Sequence, residues 1–434
     1  MLKADTFQPD SPEEFKKKAL YWASSFETAC YFDSNNFRDP YSAFDVLIAA
    51  GAVRFLKCNT GSAFEQLDHF LEDNPAFLPG FLAYDLKNET ESLHSENPDH
   101  LGFPDLYFFE PLHLILIKDG LVTINSSQQE EILGQIINTE LKPVNIGFKG
   151  SISSRFSKTE YISTVNELKD HIHRGDIYEA NLCQEFYAED CSLNPVDAYF
   201  ELNRISPTPF SNFFKMGSKY ILSATPERFL SRRGNKLISQ PIKGTAKRQP
   251  DATIDQQAKD ELRKNEKELA ENVMIVDLVR NDLTRSAIPG TVKVEELFGI
   301  YSFSQVHQMI STVVCEVDAQ FSNSEIIKNT FPMGSMTGAP KISAMKLIDK
   351  LEKTRRGVYS GTVGYVSKNG DFDFNVVIRS ILYNAETGYL SFQVGSAITS
   401  DANAEMEYEE CLVKAEAIFQ LLGCQLVSPN QLTT

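Results

Sequence analysis

The sequence predicts an α+β fold built on mainly antiparallel sheet. Long strand-like segments recur after residue 150, and helices fall between them without a regular βαβ alternation. An Asn-Gly turn, Lys368-Asn369-Gly370-Asp371, closes a hairpin between two of these strands.

The elements follow in chain order. Pro12 to Glu27 reads as a helix and holds the single tryptophan, Trp22. Lys87 to Pro104 is polar and reads as a surface loop, and Leu112 to Lys118 is the strongest strand of the N-terminal region. Residues 1–150 carry no catalytic signature and are expected to pack on the core. The Ser/Gly/Lys-rich segment Lys149 to Lys158 separates them from a catalytic region over 151–430. Ser157 and Glu160 form an S-x-x-E capping box, so a helix starts there and stops at Gly175.

Asp176 to Glu189 alternates as a strand, with Tyr178, Ala180, Leu182 and Phe186 on one face and Glu179, Asn181, Cys183 and Glu185 on the other. Tyr220 to Arg232 and Asn235 to Ile242 form a strand pair turning at Arg233-Gly234. A long helix is expected over Ile254 to Leu278. Strands follow at Gln308 to Val317, Gly357 to Lys368, Asp373 to Asn384 and Gly388 to Ile398. A last helix, Ala404 to Leu422, ends at Gly423.

Composition narrows the function. Over 434 residues, 42 Lys+Arg stand against 59 Asp+Glu, a net charge of -17, which disfavours nucleic acid and anionic membranes as main partners. Hydrophobic residues at 42% and charged residues at 23% fit an ordinary soluble globular protein. No apolar run approaches a membrane span, and the polar N-terminus does not resemble a signal peptide. Seven cysteines without a C-x-x-C pair fit free thiols in a cytoplasmic protein, and His and Cys do not cluster at zinc spacing.

Four features can carry chemistry. Glu268/Glu271 and Glu407/Glu410 are E-x-x-E pairs, each placing two carboxylates on one helix face. Two such helices facing each other suit a divalent cation such as Mg²⁺; without other context, a pair of acidic solvated faces is the stronger reading. Lys243, in Gln240-Pro241-Ile242-Lys243-Gly244-Thr245, sits at the end of a strand, where burial can depress its pKa and make it a nucleophile. The hairpin brings Glu227 near Gln240 and so within about one side-chain reach of Lys243; Glu227 and Lys243 can divide acid and nucleophile roles or form a plain ion pair. Phe331 to Lys341 is a loop of small residues, but its glycine spacing is not that of a P-loop. Tyr359 and Arg379 fall on expected strands, and Arg379 is either ion-paired or free to hold a carboxylate ligand, with the Gly395-Ser396-Ala397 backbone as a further donor.

Eight stretches, in order, carry a resemblance: GDIYEANLCQEF (175–186), SATPERFL (223–230), QPIKGTAKR (240–248), ELAENVMIVDLVRNDL (268–283), FPMGSMTGAPK (331–341), RGVYSGTVGY (356–365), DFNVVIRS (373–380) and EYEEC (407–411). Together they resemble the chorismate-utilising enzymes related to anthranilate synthase component I. The resemblance implies two antiparallel sheets packed as a sandwich, with helices outside and a cleft for chorismate and Mg²⁺. It implies Glu271 and Glu410 as direct Mg²⁺ ligands, supported by Glu268 and Glu407. It implies Glu227 as the general acid for the leaving 4-hydroxyl. Tyr359, Arg379 and the backbone near Gly395 would hold a substrate carboxylate, with Thr337 and Gly338 in the pocket wall.

Lys243 divides the subfamilies. PIKGT is the mark of the aminodeoxychorismate synthase branch, where PIAGT marks anthranilate synthases. In that branch the lysine attacks C2 as the 4-hydroxyl leaves, and ammonia from a separate glutamine amidotransferase subunit adds at C4. Isochorismate and salicylate synthases instead carry a water-activating lysine at the position of Glu179. The chain departs from the pattern at Gln308, where several relatives have histidine, at Glu179, usually glutamine, and at Ala397, often glycine. It also lacks the LLES-type segment linked to tryptophan feedback, so no tryptophan inhibition is expected. A non-catalytic subunit retaining the fold is the rival from another class; the joint presence of Glu227, Lys243, Glu271, Arg379 and Glu410 weighs against it.

Overall fold

The computed structural model describes residues 6–303 and 306–424; the first five residues of the N-terminal region and positions 425–430 of the catalytic region lie outside it. The expected antiparallel α+β architecture is present. One layer runs in the spatial order Leu121–Asn125, Leu106–Lys118, Val46–Cys58, Thr28–Asp33, Ser211–Met216, Lys219–Ser223, Ser380–Asn384, Tyr389–Ile398, Glu179–Ala188, every pair antiparallel. A second layer starts from the same long strand, Leu106–Lys118, and continues through Leu78–Leu82, Thr362–Val366, Phe372–Asn375, Arg228–Arg233, Lys236–Gln240 and Val306–Glu316. Ile242–Lys247 and Lys293–Ser302 both pair with Val306–Glu316.

Alternation along the strands separates two apolar cores. Phe213 and Leu222 are paired across Ser211–Met216 and Lys219–Ser223, and both join a cluster with the helical residues Ala19, Leu168, Leu202 and Leu421. Their neighbours Phe214 and Ile221, also paired, join Leu237, Val313 and Phe374 of the second layer. The first core lies beneath helices, and the second contains side chains from both layers. Strands from before residue 150 enter each layer.

Local chemistry explains the boundaries. The Ser157/Glu160 capping box is formed in full and opens the helix Lys158–His173, and Gly423 ends Ala404–Leu422 in the left-handed conformation. The single helix expected over 254–278 is two, Ala252–Lys264 and Glu266–Thr284. Asn265 breaks them apart, because its side chain accepts the Glu268 N–H as an N-cap.

Two expected strands are also interrupted. Tyr220–Arg232 breaks into Lys219–Ser223 and Arg228–Arg233, and Asp373–Asn384 breaks into Phe372–Asn375 and Ser380–Asn384. Pro226 removes a ladder donor in the first, and Arg379 adopts φ 51° in the second. The breaks face each other: Ala224 N–H donates to the Arg379 carbonyl at 3.2 Å, and Val376 N–H to the Glu227 carbonyl at 3.0 Å. Arg379 therefore lies in the break rather than on a strand. Tyr359 also lies off the strand expected for it, in the turn before Thr362–Val366. The Asn-Gly hairpin closes as expected, with Val366 opposite Phe372.

Candidate active site

The paired strand breaks leave Glu227 and Arg379 side by side without ladder partners of their own. Glu227 is 4% exposed, and burial pushes its carboxyl up to about 7. Ser335, the Lys243 charge, the Ile242 N–H and the Arg379 charge act in the opposite direction and do not overcome burial. Arg379 makes no side-chain hydrogen bond or ion pair with any described residue, and burial lowers its pKa against the opposing charge of Glu227. Of the two states the sequence left open for Arg379, the structure takes the unpaired one.

Lys243 lies on Ile242–Lys247, beside the strand Val306–Glu316. Its Nζ donates to Glu179 Oε1 at 3.1 Å, and Glu227 is not its ion-pair partner. The expected depression of its pKa is not found. Burial does push the ammonium down, but the charges of Glu179, Glu271 and Glu227 outweigh it and hold the group above its ordinary value. The backbone there is set by Gly244, at φ +96°, where a Cβ would stand 3.2 Å from Glu268 Oε2 and 3.3 Å from Met309 Cβ. Asn272, one residue past Glu271, donates to the Lys243 carbonyl at 3.4 Å and accepts from Ser311 Oγ at 2.6 Å. Gln308 pairs with Thr245 and is 2% exposed. His307 bonds away from it, to Ser302 and Asp255.

Glu179 starts the edge strand Glu179–Ala188, against which the 331–341 loop is laid. Gly338 pairs with Ala180 so closely that a Cβ on it would fall 2.2 Å from the Glu179 carbonyl. Thr337 is fully buried; its carbonyl accepts the Asn181 N–H at 2.8 Å, and its hydroxyl bonds within its own loop, to Gly334. Beneath them lies an ion pair that sequence reading did not single out. Arg356 Nη2 donates to Glu352 Oε1 at 2.6 Å and to the Asn181 carbonyl at 2.8 Å, and Arg356 Nη1 to the Met336 carbonyl at 2.6 Å. Glu352 in turn accepts the Cys183 N–H at 2.8 Å. The pair ties the loop to the strand that presents Glu179. Its i,i+4 spacing in LEKTRRG, and the adjacency of Asn272 to Glu271, are the signals that were there to be read.

Tyr359 is 2% exposed and its hydroxyl is turned to Cys183 Sγ, 3.9 Å away; Cys183 pairs with Gly395 across the sheet. The four acidic residues lie on the two helices expected for them. Glu271 and Glu407 are buried, Glu268 half-buried and Glu410 exposed. Burial pushes the Glu271 carboxyl up to about 7. Glu407 accepts from Ser396 Oγ, and Glu410 pairs with Lys414 at 2.8 Å. Lys267 Nζ lies 3.7 Å from Glu271 Oε1 and 3.6 Å from Glu407 Oε1. Among the described residues no three His, Cys, Asp or Glu side chains are gathered as a closed ligand set.

Three carboxylate or amide oxygens at this locus are buried without a hydrogen-bond partner: Glu179 Oε2, Glu271 Oε1 and Gln308 Oε1. With the unpaired Arg379, they mark a polar site built to receive something, because buried polar groups are otherwise satisfied. All seven cysteines are free, and Cys183 and Cys411 are buried with their thiols pushed up, chiefly by burial, the reverse of an activated nucleophile. No helix of the described residues is long and apolar enough to cross a membrane.

Residues 15–420 match the family model described as chorismate binding enzyme. The aminodeoxychorismate synthase component 1 of Escherichia coli K12 is 38% identical over 347 residues, covering 79% of this chain and 76% of that protein. The anthranilate synthase component 1 of Thermus thermophilus is 33% identical over 370 residues, covering 81% and 79%. In structure, the anthranilate synthase component I of Streptococcus pneumoniae superposes with a TM-score of 0.75 at 25% identity, covering 89% of this chain and 93% of that one.

Proposed function

The chain belongs to the chorismate binding enzyme family, and within it we propose that this chorismate-utilising enzyme is an aminodeoxychorismate synthase component I. It would convert chorismate and ammonia to 4-amino-4-deoxychorismate, the precursor of 4-aminobenzoate and folate. The observation that carries this reading is Lys243, half-buried with its Nζ 3.1 Å from Glu179 and in the electrostatic range of a carboxyl, Glu227, raised to about 7.

Glu227 near neutrality keeps a large protonated fraction at physiological pH, which is what a general acid for a leaving hydroxyl needs. Lys243, once it has given up a proton, attacks ring carbon C2 as the C4–O bond breaks and Glu227 protonates the departing oxygen to water. Ammonia then forms the C4–N bond and expels the lysine, leaving the enolpyruvyl group in place. Arg379 offers an unpaired guanidinium to a substrate carboxylate, and Tyr359 and the Gly395 backbone, linked to each other through Cys183, would complete that hold. Thr337 and Gly338 close the wall, and Gln308 offers its orphaned amide oxygen.

The four carboxylates suit a hard divalent cation, since they are all oxygen donors and Glu271 Oε1 lacks a hydrogen bond. Mg²⁺ typically takes only one or two protein carboxylates, so a closed set is not required. Glu271 and Glu410 would hold it, with Glu268 and Glu407 behind. When bound, Mg²⁺ supplies positive charge that neutralises substrate oxygens. The nitrogen would come from a separate glutamine amidotransferase subunit, in keeping with relatives named as component 1.

The alternative is anthranilate synthase component I, a name also carried by relatives at 33% identity. Product identity separates the two. Purified chain is incubated with chorismate, Mg²⁺ and ammonium, and the mixture is analysed by liquid chromatography with mass detection. An aminated product that keeps the enolpyruvyl group is expected. Anthranilate with released pyruvate would overturn the assignment within the family.

A further inference from the structure

Lys267 has no part in the roles above, yet its charge lies where the two acidic helices meet. It is the second residue of Glu266–Thr284, and its ammonium reaches one carboxylate on its own helix, Glu271, and one on the facing helix, Glu407. Both approaches, 3.7 and 3.6 Å, are ion pairs too long for hydrogen bonds. The side chain is 52% exposed, so solvent can receive it if it leaves.

The other groups are held differently. Glu407 Oε2 accepts from Ser396, while Glu410 is held by Lys414, which is itself anchored to the Gly395 carbonyl at 2.9 Å. Glu271 Oε1 is buried and has no hydrogen bond at all. It belongs to a buried residue whose side chain is 11% exposed, and Lys267 reaches it on its own helix and Glu407 on the other.

We propose that Lys267 is a tethered counter-cation: in the metal-free enzyme it neutralises Glu271 and Glu407 and keeps the two helices from repelling, and it must swing out for a divalent cation to bind. This rests on the reading that these carboxylates hold a divalent cation. The carboxylate shared by the two is Glu271; an ammonium and a divalent cation together on its oxygens repel strongly at such separations, so the two exclude each other. Lys267 then sets the apparent metal affinity and protects the empty site, and it touches neither substrate nor reacting atoms.

The test measures Mn²⁺ binding directly, by titration calorimetry or from the electron paramagnetic resonance signal of free Mn²⁺. Full-length wild type, Lys267→Met, Lys267→Arg and Glu271→Gln are compared. Lys267→Met is expected to bind Mn²⁺ about five- to tenfold more tightly, the scale of one or two half-exposed ion pairs. Lys267→Arg should keep wild-type affinity, and metal-free Lys267→Met should melt lower yet gain more on metal addition. Unchanged or weaker Mn²⁺ binding by Lys267→Met, with binding lost in Glu271→Gln, overturns the tether and leaves the metal reading standing. Wild-type binding by Glu271→Gln overturns the metal reading and the tether with it.

Discussion

Lys243 Nζ donates to Glu179 Oε1 at 3.1 Å, and the second oxygen of that glutamate is buried with no partner. The lysine comes from the second layer and the glutamate from the edge of the first, so the pair joins the two sheets at the site. Burial pulls the Lys243 ammonium down, and Glu179 is the strongest of the charges that hold it up. Glu179→Gln removes that charge and leaves the burial. Lys243 is therefore expected to lose its proton at lower pH in the variant. Labelling with an amine-directed acylating reagent, followed at the Lys243 peptide by mass spectrometry across a pH series, reads this. A labelling midpoint unmoved by the substitution would mean the pair does not persist in solution.

Glu227 makes an activity prediction with a definite sign. Its carboxyl is raised from the usual carboxylate range to about 7, and in the proposed role of general acid the protonated form is the competent one. Because Lys243 must also give up its proton and is held above its ordinary value, kcat/KM at saturating Mg²⁺ and ammonium should rise about tenfold per unit up to pH 7 and level off above it, this levelling being the Glu227 limb, where loss of the Glu227 proton offsets the gain in free amine. Glu227→Gln should lower kcat by roughly 10²–10⁴-fold, the usual scale for losing a general acid, and abolish the limb. A variant that keeps both rate and limb would assign the acid elsewhere.

Much of this site was legible because its chemistry is written in local motifs. Carboxylates spaced three apart fall on one helix face whatever the tertiary fold, and a capping box such as Ser157/Glu160 forms from its own four residues. The helix Ala404–Leu422 and the Asn-Gly hairpin were legible for the same reason. What failed was continuity. Val376-Val377-Ile378-Arg379 reads as one strand by propensity, but the chain leaves the ladder there, and Arg379 turns left-handed against the facing break at Pro226. Such a break depends on two segments 150 residues apart, which no local pattern encodes. Lys243 was misjudged similarly: burial alone lowers an ammonium, and the carboxylates that reverse the sign come from other elements.

Arg379 joins function to a stability cost. Its half-buried guanidinium makes no hydrogen bond or ion pair with a described residue, and burial lowers its pKa against the opposing charge of Glu227, so the folded state bears a partial desolvation. Arg379→Met keeps most of the volume and removes the charge. It should leave urea unfolding unchanged or raise its free energy by up to about 1 kcal/mol, while raising KM for chorismate at least tenfold. Arg379→Lys should recover little binding, because an ammonium lacks the planar fork that suits a carboxylate. A destabilised Arg379→Met with unchanged KM would show that the arginine serves the fold and not the ligand.

The Glu352–Arg356 pair should behave in the opposite way. Both side chains are at most 5% exposed, and the guanidinium also donates to the carbonyls of Met336 and Asn181. Removing Arg356 alone strands a carboxylate in the core and frees the loop from the Glu179 strand. Arg356→Ala is therefore expected to cost about 3–5 kcal/mol in urea unfolding, the range for breaking a buried pair from one side. Glu352→Gln with Arg356→Met removes both charges and should recover a good part of that loss, giving a coupling energy well above the error of a double-mutant cycle. Recovered stability need not mean recovered activity. The double variant no longer has a guanidinium to hold Met336 and Asn181, so the 331–341 loop should sit less firmly against Glu179. Hydrogen exchange at Asn181, whose N–H is given to the Thr337 carbonyl, reports that directly. Faster exchange in a variant of near wild-type stability would separate the positioning role of the pair from its part in the core, whereas additive single-variant costs and unchanged exchange would remove both claims.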